Sequence, residues 1–373
     1  MCSSDLNDGL LDIVTMDMMP EDYFRKKQTI NGNSYYVYIN NEKYGYENQY
    51  VRNMFQVHNG FLDSVMLPYS EVGQMSGIYQ TEWSWSPLFA DFDNDGFKDL
   101  IVTNGFPRDV TDRDFISYRE KTHGLATRED LLSQVPSVKV PNVAFHNNGD
   151  LTFSEVSKSW GLDAPSFSNG AAFADLDNDG DLDYIINNIN DFASVYENTL
   201  NDSDNNTSHF LRIKLKGTKE NPMALGTKVT LHQGNQIQFA EQSVYRGYLS
   251  TVEDIVHFGL GTNTAIDSLT IIWPNGIYQS VKSPKADEVL EFAQPSSGKS
   301  TPEKIKPQML FNRLNNIAYK NIDADKIDFN IQRTLPHKLS QAGPGMAAGD
   351  INGDGLEDLV IGGSAMKIGR AHV

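Results

Sequence analysis

One short pattern constrains the fold of this chain more than any other feature. Four aspartate-like positions and a glycine, spaced D-x-D-x-D-G-x-x-D, are followed at once by a β-branched apolar run. The pattern occurs as "DFDNDGFKDLIVT" from Asp91, "DLDNDGDLDYIIN" from Asp175 and "DINGDGLEDLVIG" from Asp350. Calcium is a hard cation that takes six to eight oxygens at about 2.3–2.6 Å. A tight loop with side chains at alternate positions can turn them all inward, and the glycine permits the bend because it has no Cβ to clash at positive φ. The spacing therefore predicts metal ligands at Asp91, Asp93, Asp95, Phe97 and Asp99 in the first loop. In the second they are Asp175, Asp177, Asp179, Asp181 and Asp183, and in the third Asp350, Asn352, Asp354, Leu356 and Asp358. Position 7 (Phe97, Asp181, Leu356) would contribute its backbone carbonyl, so its side chain is free to vary. Without a counter-ion, acids packed this closely raise one another's pKa.

Asp-Gly strings also make ordinary turns, and acidic runs usually form solvated surface. Three copies with the same internal spacing outweigh both readings. An EF-hand is excluded: it needs a Glu at position 12 and flanking helices, whereas Val102, Ile186 and Ile361 stand there and begin or continue strands. Glycoside hydrolysis needs two facing acids rather than a repeated linear string.

The repeats extend beyond the loops. "NVAFHNNGDLTF" before the second loop reads as strand, turn at Asn148–Gly149, strand. Comparable text precedes the other two, and a truncated copy opens the chain, with Asn7, Asp8, Gly9 and Asp12 at loop positions 4, 5, 6 and 9. Each unit has the size of one propeller blade, too small to bury its own face alone. These units resemble the FG-GAP/VCBS repeats of integrin-α-like propellers. That resemblance implies blades over about residues 1–200 and 308–366, with the acidic loop joining two strands of a blade and holding Ca²⁺.

Between the second and third loops the pattern changes. From about 208 to 293, alternating strands with turns at Gly234–Asn235 and Asn275–Gly276 predict a small antiparallel β-sandwich of about seven strands or fewer. "GTKV", "HFGLG" and "LTIIWPNG" resemble the ASPIC/UnbV module, which accompanies FG-GAP repeats. A polar linker over 294–307 follows; its "GKS" is no phosphate loop, because Ala293 stands where the first glycine belongs. The expected fold class is thus all-β: a partial propeller of FG-GAP blades interrupted by the sandwich. A charged segment at about 108–135 has partial helical periodicity and reads as a surface insertion on a blade. Trp83 and Trp85 alternate on the strand before the first loop, and blade packing outweighs sugar stacking for them.

Composition bears on partners. The formal charge of −18, from 31 basic and 49 acidic residues, disfavours nucleic acid and anionic membrane surfaces. Cys2 is the single cysteine, so no internal disulfide is available. No apolar run approaches a membrane span. "MCSSDL" and "KIGRAHV" fit neither adjoining pattern and read as non-native ends, residues 1–6 and 367–373, with a signal sequence lost upstream. The eight histidines are scattered, and no HExxH, GxSxG, CxxC or GxGxxG occurs. "NDSDNNTS" holds formal glycosylation acceptors at Asn201, Asn205 and Asn206.

These readings predict a non-catalytic, calcium-binding extracellular or cell-surface scaffold that contacts a protein or glycan. The alternatives are a polysaccharide-processing enzyme, or a nutrient-uptake subunit, with structural calcium.

Overall fold

A computed structural model describes residues 2–4, 6–29, 35–47, 50–60, 68–122, 124–202, 207–300, 327–332 and 343–362. The chain forms two units, Met1–Pro302 and Glu303–Val373.

Three sheets of the first unit follow one another in chain order. The first is ordered β1 (Cys2–Ser4), β2 (Asp12–Thr15), β4 (Met54–His58), β5 (Tyr69–Glu71). The second opens with the short β3 (Met18–Met19) and continues through β6 (Glu82–Ala90), β7 (Asp99–Asn104), β8 (Val143–Asn147) and β9 (Phe153–Glu155). The third is β10 (Ser168–Ala174), β11 (Asp183–Asn188), β12 (Ser194–Tyr196). Apart from the linkage through β3, each sheet is an antiparallel meander in which an acidic loop joins two neighbouring strands: β1 to β2, β6 to β7, β10 to β11.

The run "LIV" in β7 is apolar at every position because this sheet is covered on both faces. Leu100 and Val102 pack with Val14 and Phe55 of the first sheet, while Ile101, between them, packs with Ala171 and Ile186 of the third. That is the period-two alternation of a strand working between two neighbours. Each aliphatic side chain buried this way contributes about 1.5–3 kcal/mol.

Residues 209–300 form two further sheets around one core. One is ordered β16 (Ile255–Gly261), β13 (His209–Lys216), β19 (Glu288–Ala293). The other is β15 (Gln236–Glu241), β14 (Lys228–Gln233), β17 (Ser268–Ile272), β18 (Ile277–Lys282), β20 (Lys299–Ser300). Leu211, Ile213 and Phe258 from the first sheet meet Val229, Leu231, Leu269 and Ile271 from the second, with Trp273 buried beside them. Both expected turns are present: Gly234, at φ +59°, opens the β14–β15 connection, and Gly276, at φ +78°, ends the β17–β18 turn.

Two expectations need correction here. The region is not wholly antiparallel, because β19 runs parallel to β13. After β18 the chain crosses to the other sheet and enters it alongside β13, a non-local pairing that alternation within each strand does not encode. The stretch expected to be a linker also supplies a strand, since Lys299 and Ser300 pair with β18.

Among the described residues the α-helices are α1 (Tyr23–Gln28), α2 (Tyr35–Tyr44), the single turn α3 (Gly73–Ser76), α4 (Arg113–Lys121) and α5 (Arg128–Ser133). The last two are the expected insertion. Asp112 caps α4, and Thr127 and Asp130 form a capping box on α5. Only Phe115 of these two helices is buried, as a surface insertion requires. Trp83 stacks on Phe106 at 4.9 Å, and Trp85 packs against Phe106 and Tyr248, so both tryptophans are used in packing.

In the second unit the structure describes the hairpin β21 (Met346–Gly349) and β22 (Asp358–Ile361), which carries the third acidic loop, and one 3₁₀ turn at Asp328–Asn330. The remainder of the expected blade at 308–366, the end at 367–373 and the acceptors Asn205 and Asn206 lie outside the described residues.

Candidate metal centre at the acidic loops

The loops share one backbone course. Position 6 is a glycine at positive φ in all four: +81° at Gly9, +95° at Gly96, +92° at Gly180 and +85° at Gly355. Position 4 is also left-handed, at Asn7 (+70°), Asn94 (+57°), Asn178 (+64°) and Gly353 (+78°). Asparagine tolerates that region better than most residues. Its recurrence at one loop position was a signal that the reading of acids and glycines passed over.

Loop-internal hydrogen bonds repeat as well. The position-6 N–H donates to the position-1 carboxylate: Gly96 to Asp91 at 2.9 Å, Gly180 to Asp175 at 3.2 Å and Gly355 to Asp350 at 2.9 Å. The position-7 N–H donates to the position-5 carboxylate, from Phe97 to Asp95, from Asp181 to Asp179 and from Leu356 to Asp354. These bonds bring positions 1, 3 and 5 together. One carboxylate oxygen from each of Asp91, Asp93 and Asp95 lies within 4.8 Å of the other two, and the same holds for Asp175, Asp177 and Asp179. Two oxygens on one calcium ion can stand no more than about 5 Å apart, so both clusters match a single ion. In the third loop, Asn352 donates to Asp354, and Asp350, Asn352 and Asp354 are all exposed.

Position 9 also has a structural duty. Asp12, Asp99, Asp183 and Asp358 are all buried. Asp99, Asp183 and Asp358 accept the N–H of loop position 2, from Phe92, Leu176 and Ile351. Asp12, Asp99 and Asp183 also accept an N–H beyond the loop, from His58, Asn147 and Asn198. In these three loops the fourth acid ties the loop to the next strand of its sheet or, at Asn198, to the segment that follows that strand. At position 7, the Asp181 side chain accepts the N–H of Asn201, Phe97 packs against the turn at Gly149, and the Leu356 side chain is exposed.

The loops also touch one another. Asn7 Nδ2 donates to the Gly96 carbonyl at 2.8 Å, and Asn94 Nδ2 donates to the Gly180 carbonyl at 3.1 Å. Asn7 and Asn94 thus each reach the position-6 glycine of the next loop. Because the Asn94 amide nitrogen points that way, its oxygen faces His257 Nε2 at 2.6 Å, which makes that nitrogen the donor. His257 is neutral, its pKa pushed down to about 3 by burial and then by the charge of Arg212. Gly259 N–H donates to Asp91 at 3.1 Å and Gly261 N–H to the Asn94 carbonyl at 2.7 Å. Strand β16 is therefore docked on the first loop, and Arg212 of β13 reaches the second, donating to Asp175 at 2.5 Å and to Glu253 at 2.5 Å.

Burial and mutual repulsion leave the acids short of positive charge. Asp91 is raised well above the usual carboxylate range by burial and then by Asp99, Asp95 and Asp93. Burial is also the first cause lifting Asp95 and Asp99 to about 6 and Asp181 to about 7. Three buried carboxylate oxygens, Asp175 Oδ1, Asp179 Oδ2 and Asp181 Oδ1, have no hydrogen-bond partner among the described residues. Buried acceptors left without a donor are expected where a cation belongs, so the residues fit a divalent ion. A further group went unnoticed among the scattered histidines. His146, at the end of β8, stands 3.1 Å from Asp93 and 3.3 Å from Asp99. Its pKa is raised to about 9, first by the contact with Asp99.

These shifts set a pH dependence for the metal-free protein. An acid whose folded pKa is raised contributes stability below its unfolded value, near 4, and loses it as pH rises through the folded value. For Asp95, Asp99 and Asp181 that loss falls between about pH 4 and 7. His146 contributes stability in full below its unfolded pKa of about 6.5 and loses it as pH rises through about 9. Both terms act in the same direction. Melting in a chelator is therefore expected to weaken steadily from pH 5 to pH 8; a melting temperature that rises over that range contradicts the assignment.

Comparison with known proteins supplies relationships. Residues 217–299 match the family model described as ASPIC and UnbV, and residues 128–186, which include the second acidic loop, match the FG-GAP-like repeat. The chain is 28% identical over 216 residues to cartilage acidic protein 1 of Mus musculus and, equally, of Homo sapiens. That alignment covers 56% of this chain and 28% of each relative, so the match spans under a third of their length. The protein of Xenopus tropicalis is 27% identical over the same length. The chain thus carries an FG-GAP-like repeat and an ASPIC/UnbV domain and is a distant homologue of cartilage acidic protein 1.

Proposed function

We propose that this pairing of an FG-GAP-like repeat with an ASPIC/UnbV domain serves as a calcium-stabilised, non-catalytic β-propeller scaffold outside the cell, presenting loops to a protein or glycan partner. The observation that carries the reading is the set of buried, partnerless carboxylate oxygens on a loop whose backbone course is repeated along the stack. Asp91, Asp93 and Asp95 would hold one ion, and Asp175, Asp177 and Asp179 a second. Calcium, when bound, supplies the positive charge that these acids lack and that removes their mutual repulsion. The protein's own residues do the rest: Asp99 and Asp183 tie their loops to the segments that follow, and Asn7 and Asn94 tie loop to loop.

Three sheets stacked in chain order, each with the loop at the same place, fit propeller blades. Residues 209–300, with two sheets on one core, fit the β-sandwich expected of the second module. Chemistry and kinship support an extracellular address. Extracellular calcium modules work at Kd values around 10⁻⁴–10⁻³ M, which millimolar calcium fills and resting cytosol does not. The relatives take their name from cartilage, and no described helix is long and apolar enough to cross a membrane.

The test is calcium titration calorimetry paired with thermal unfolding in calcium and in chelator. At 10 mM calcium and those Kd values, each site stabilises the fold by about 1.4–2.7 kcal/mol. Millimolar binding with a matching rise in melting temperature supports the reading; no heat of binding and no thermal shift sinks it. Turnover on a polysaccharide panel that survives Asp93→Asn and Asp177→Asn would instead establish an enzyme.

A further inference from the structure

Given that reading of the loops as calcium sites, the two clusters of the first unit differ in a way their sequences hide. The ligand strings from Asp91 and from Asp175 have the same acids at positions 1, 3 and 5. In the first cluster, the position-1 acid Asp91 accepts backbone N–H groups, from Asp95, Gly96 and Gly259, and the neighbouring imidazole of His146 stands against Asp93 and Asp99 instead. In the second, the position-1 acid Asp175 also receives a full positive charge: Arg212 Nη1 stands 2.5 Å from its Oδ2. Both side chains are almost wholly buried, at 2% exposure for Arg212 and 1% for Asp175. The other end of the guanidinium binds Glu253, just outside the loop. Arginine stays protonated at any pH a protein survives, and burial shields the pair from screening by salt.

We propose that Arg212 is a resident counter-ion of the second acidic loop, so that the two loops are unequal calcium sites. The guanidinium already neutralises part of the Asp175–Asp177–Asp179 cluster, and it repels an ion entering beside it. The second loop therefore keeps its shape without metal and binds calcium more weakly than its ligand string implies. Arg212 lies on β13, in the sheet that also docks β16 on the first loop. It thus holds the second loop against the ASPIC/UnbV region whether or not metal is present. Asp175 Oδ1, Asp179 Oδ2 and Asp181 Oδ1 are without partners even with Arg212 in place, so the site keeps capacity for an ion. Arg212 tunes that capacity rather than abolishing it.

The full chain tests this. Asp93→Asn and Asp354→Asn silence the first and third loops, and calcium titration calorimetry then reads the second; adding Asp177→Asn gives the blank. In that background Arg212→Gln is expected to tighten calcium binding about tenfold or more, because a unit charge about 5 Å from a divalent ion costs at least that factor even at the dielectric of water. The same substitution is expected to lower the melting temperature in chelator and to enlarge the rise that calcium produces. Arg212→Lys, which keeps the charge but cannot bridge two carboxylates, should bind calcium with nearly wild-type affinity while losing part of the chelator stability. Should Arg212→Gln fold only in calcium, that outcome supports the proposal equally. Calcium bound by the parent background with unchanged or weaker affinity after Arg212→Gln overturns this proposal alone. Failure of the unmutated chain to bind calcium at all overturns the calcium reading on which it rests, and this proposal with it.

Discussion

Asp91→Ala is expected to destabilise the protein by about 3 kcal/mol. Its two carboxylate oxygens accept three N–H groups, from Asp95, Gly96 and Gly259. The third belongs to β16, so the substitution strips acceptors from the loop and from the strand docked upon it. A buried donor left without a partner costs about 1–3 kcal/mol. Relief of a desolvated carboxylate offsets part of that sum, since Asp91 is held far above its ordinary pKa by burial. Asp91→Asn keeps an acceptor oxygen and should lose less. Asp350→Ala, at the same position of the exposed third loop, should lose far less again, because its acceptor bonds stay within one hairpin. Chemical denaturation of the three variants in chelator gives the comparison. Equal losses at Asp91 and Asp350 would mean that docking of β16 adds nothing.

Gly180→Ala should cost about 3 kcal/mol, against about 1 kcal/mol for Gly355→Ala. Both glycines hold loop position 6 at positive φ, +92° and +85°. That backbone requirement is local and equal in the two loops. At Gly355 an added Cβ meets nothing within 4 Å, whereas at Gly180 it would fall into the ring of Phe210 on β13. The difference between the variants therefore measures packing alone. Matching losses in denaturant would show that the Phe210 ring moves aside freely.

Much of the loop was legible in the sequence because its geometry is local. A glycine at position 6 and acids at 1, 3 and 5 suffice to specify the turn and gather the carboxylates. The apolar run after each loop, the two short turns at 234–235 and 275–276, and the paired helices of the insertion were readable for the same reason. The fourth acid, expected as one more ligand, also accepts backbone N–H groups, a duty that spacing alone does not reveal. The bonds of Asp99 and Asp183 to Asn147 and Asn198 come from segments 48 and 15 residues further on. His146 looked like one of eight scattered histidines until β8 placed it beside Asp93 and Asp99.

By itself, then, the amino-acid order determined that the chain is built from strands, that four tight acidic bends punctuate it, and that a second kind of β module interrupts them. Each of these depends on neighbours a few residues apart, where backbone preference and side-chain alternation act directly. Only the tertiary structure decided that β19 lies parallel to β13, that β16 rests on the first loop, and that Arg212 enters the second. Those pairings join segments as much as 168 residues apart. Their energy comes from desolvated contacts that exist only once the sheets have packed, so no local run of residues could announce them.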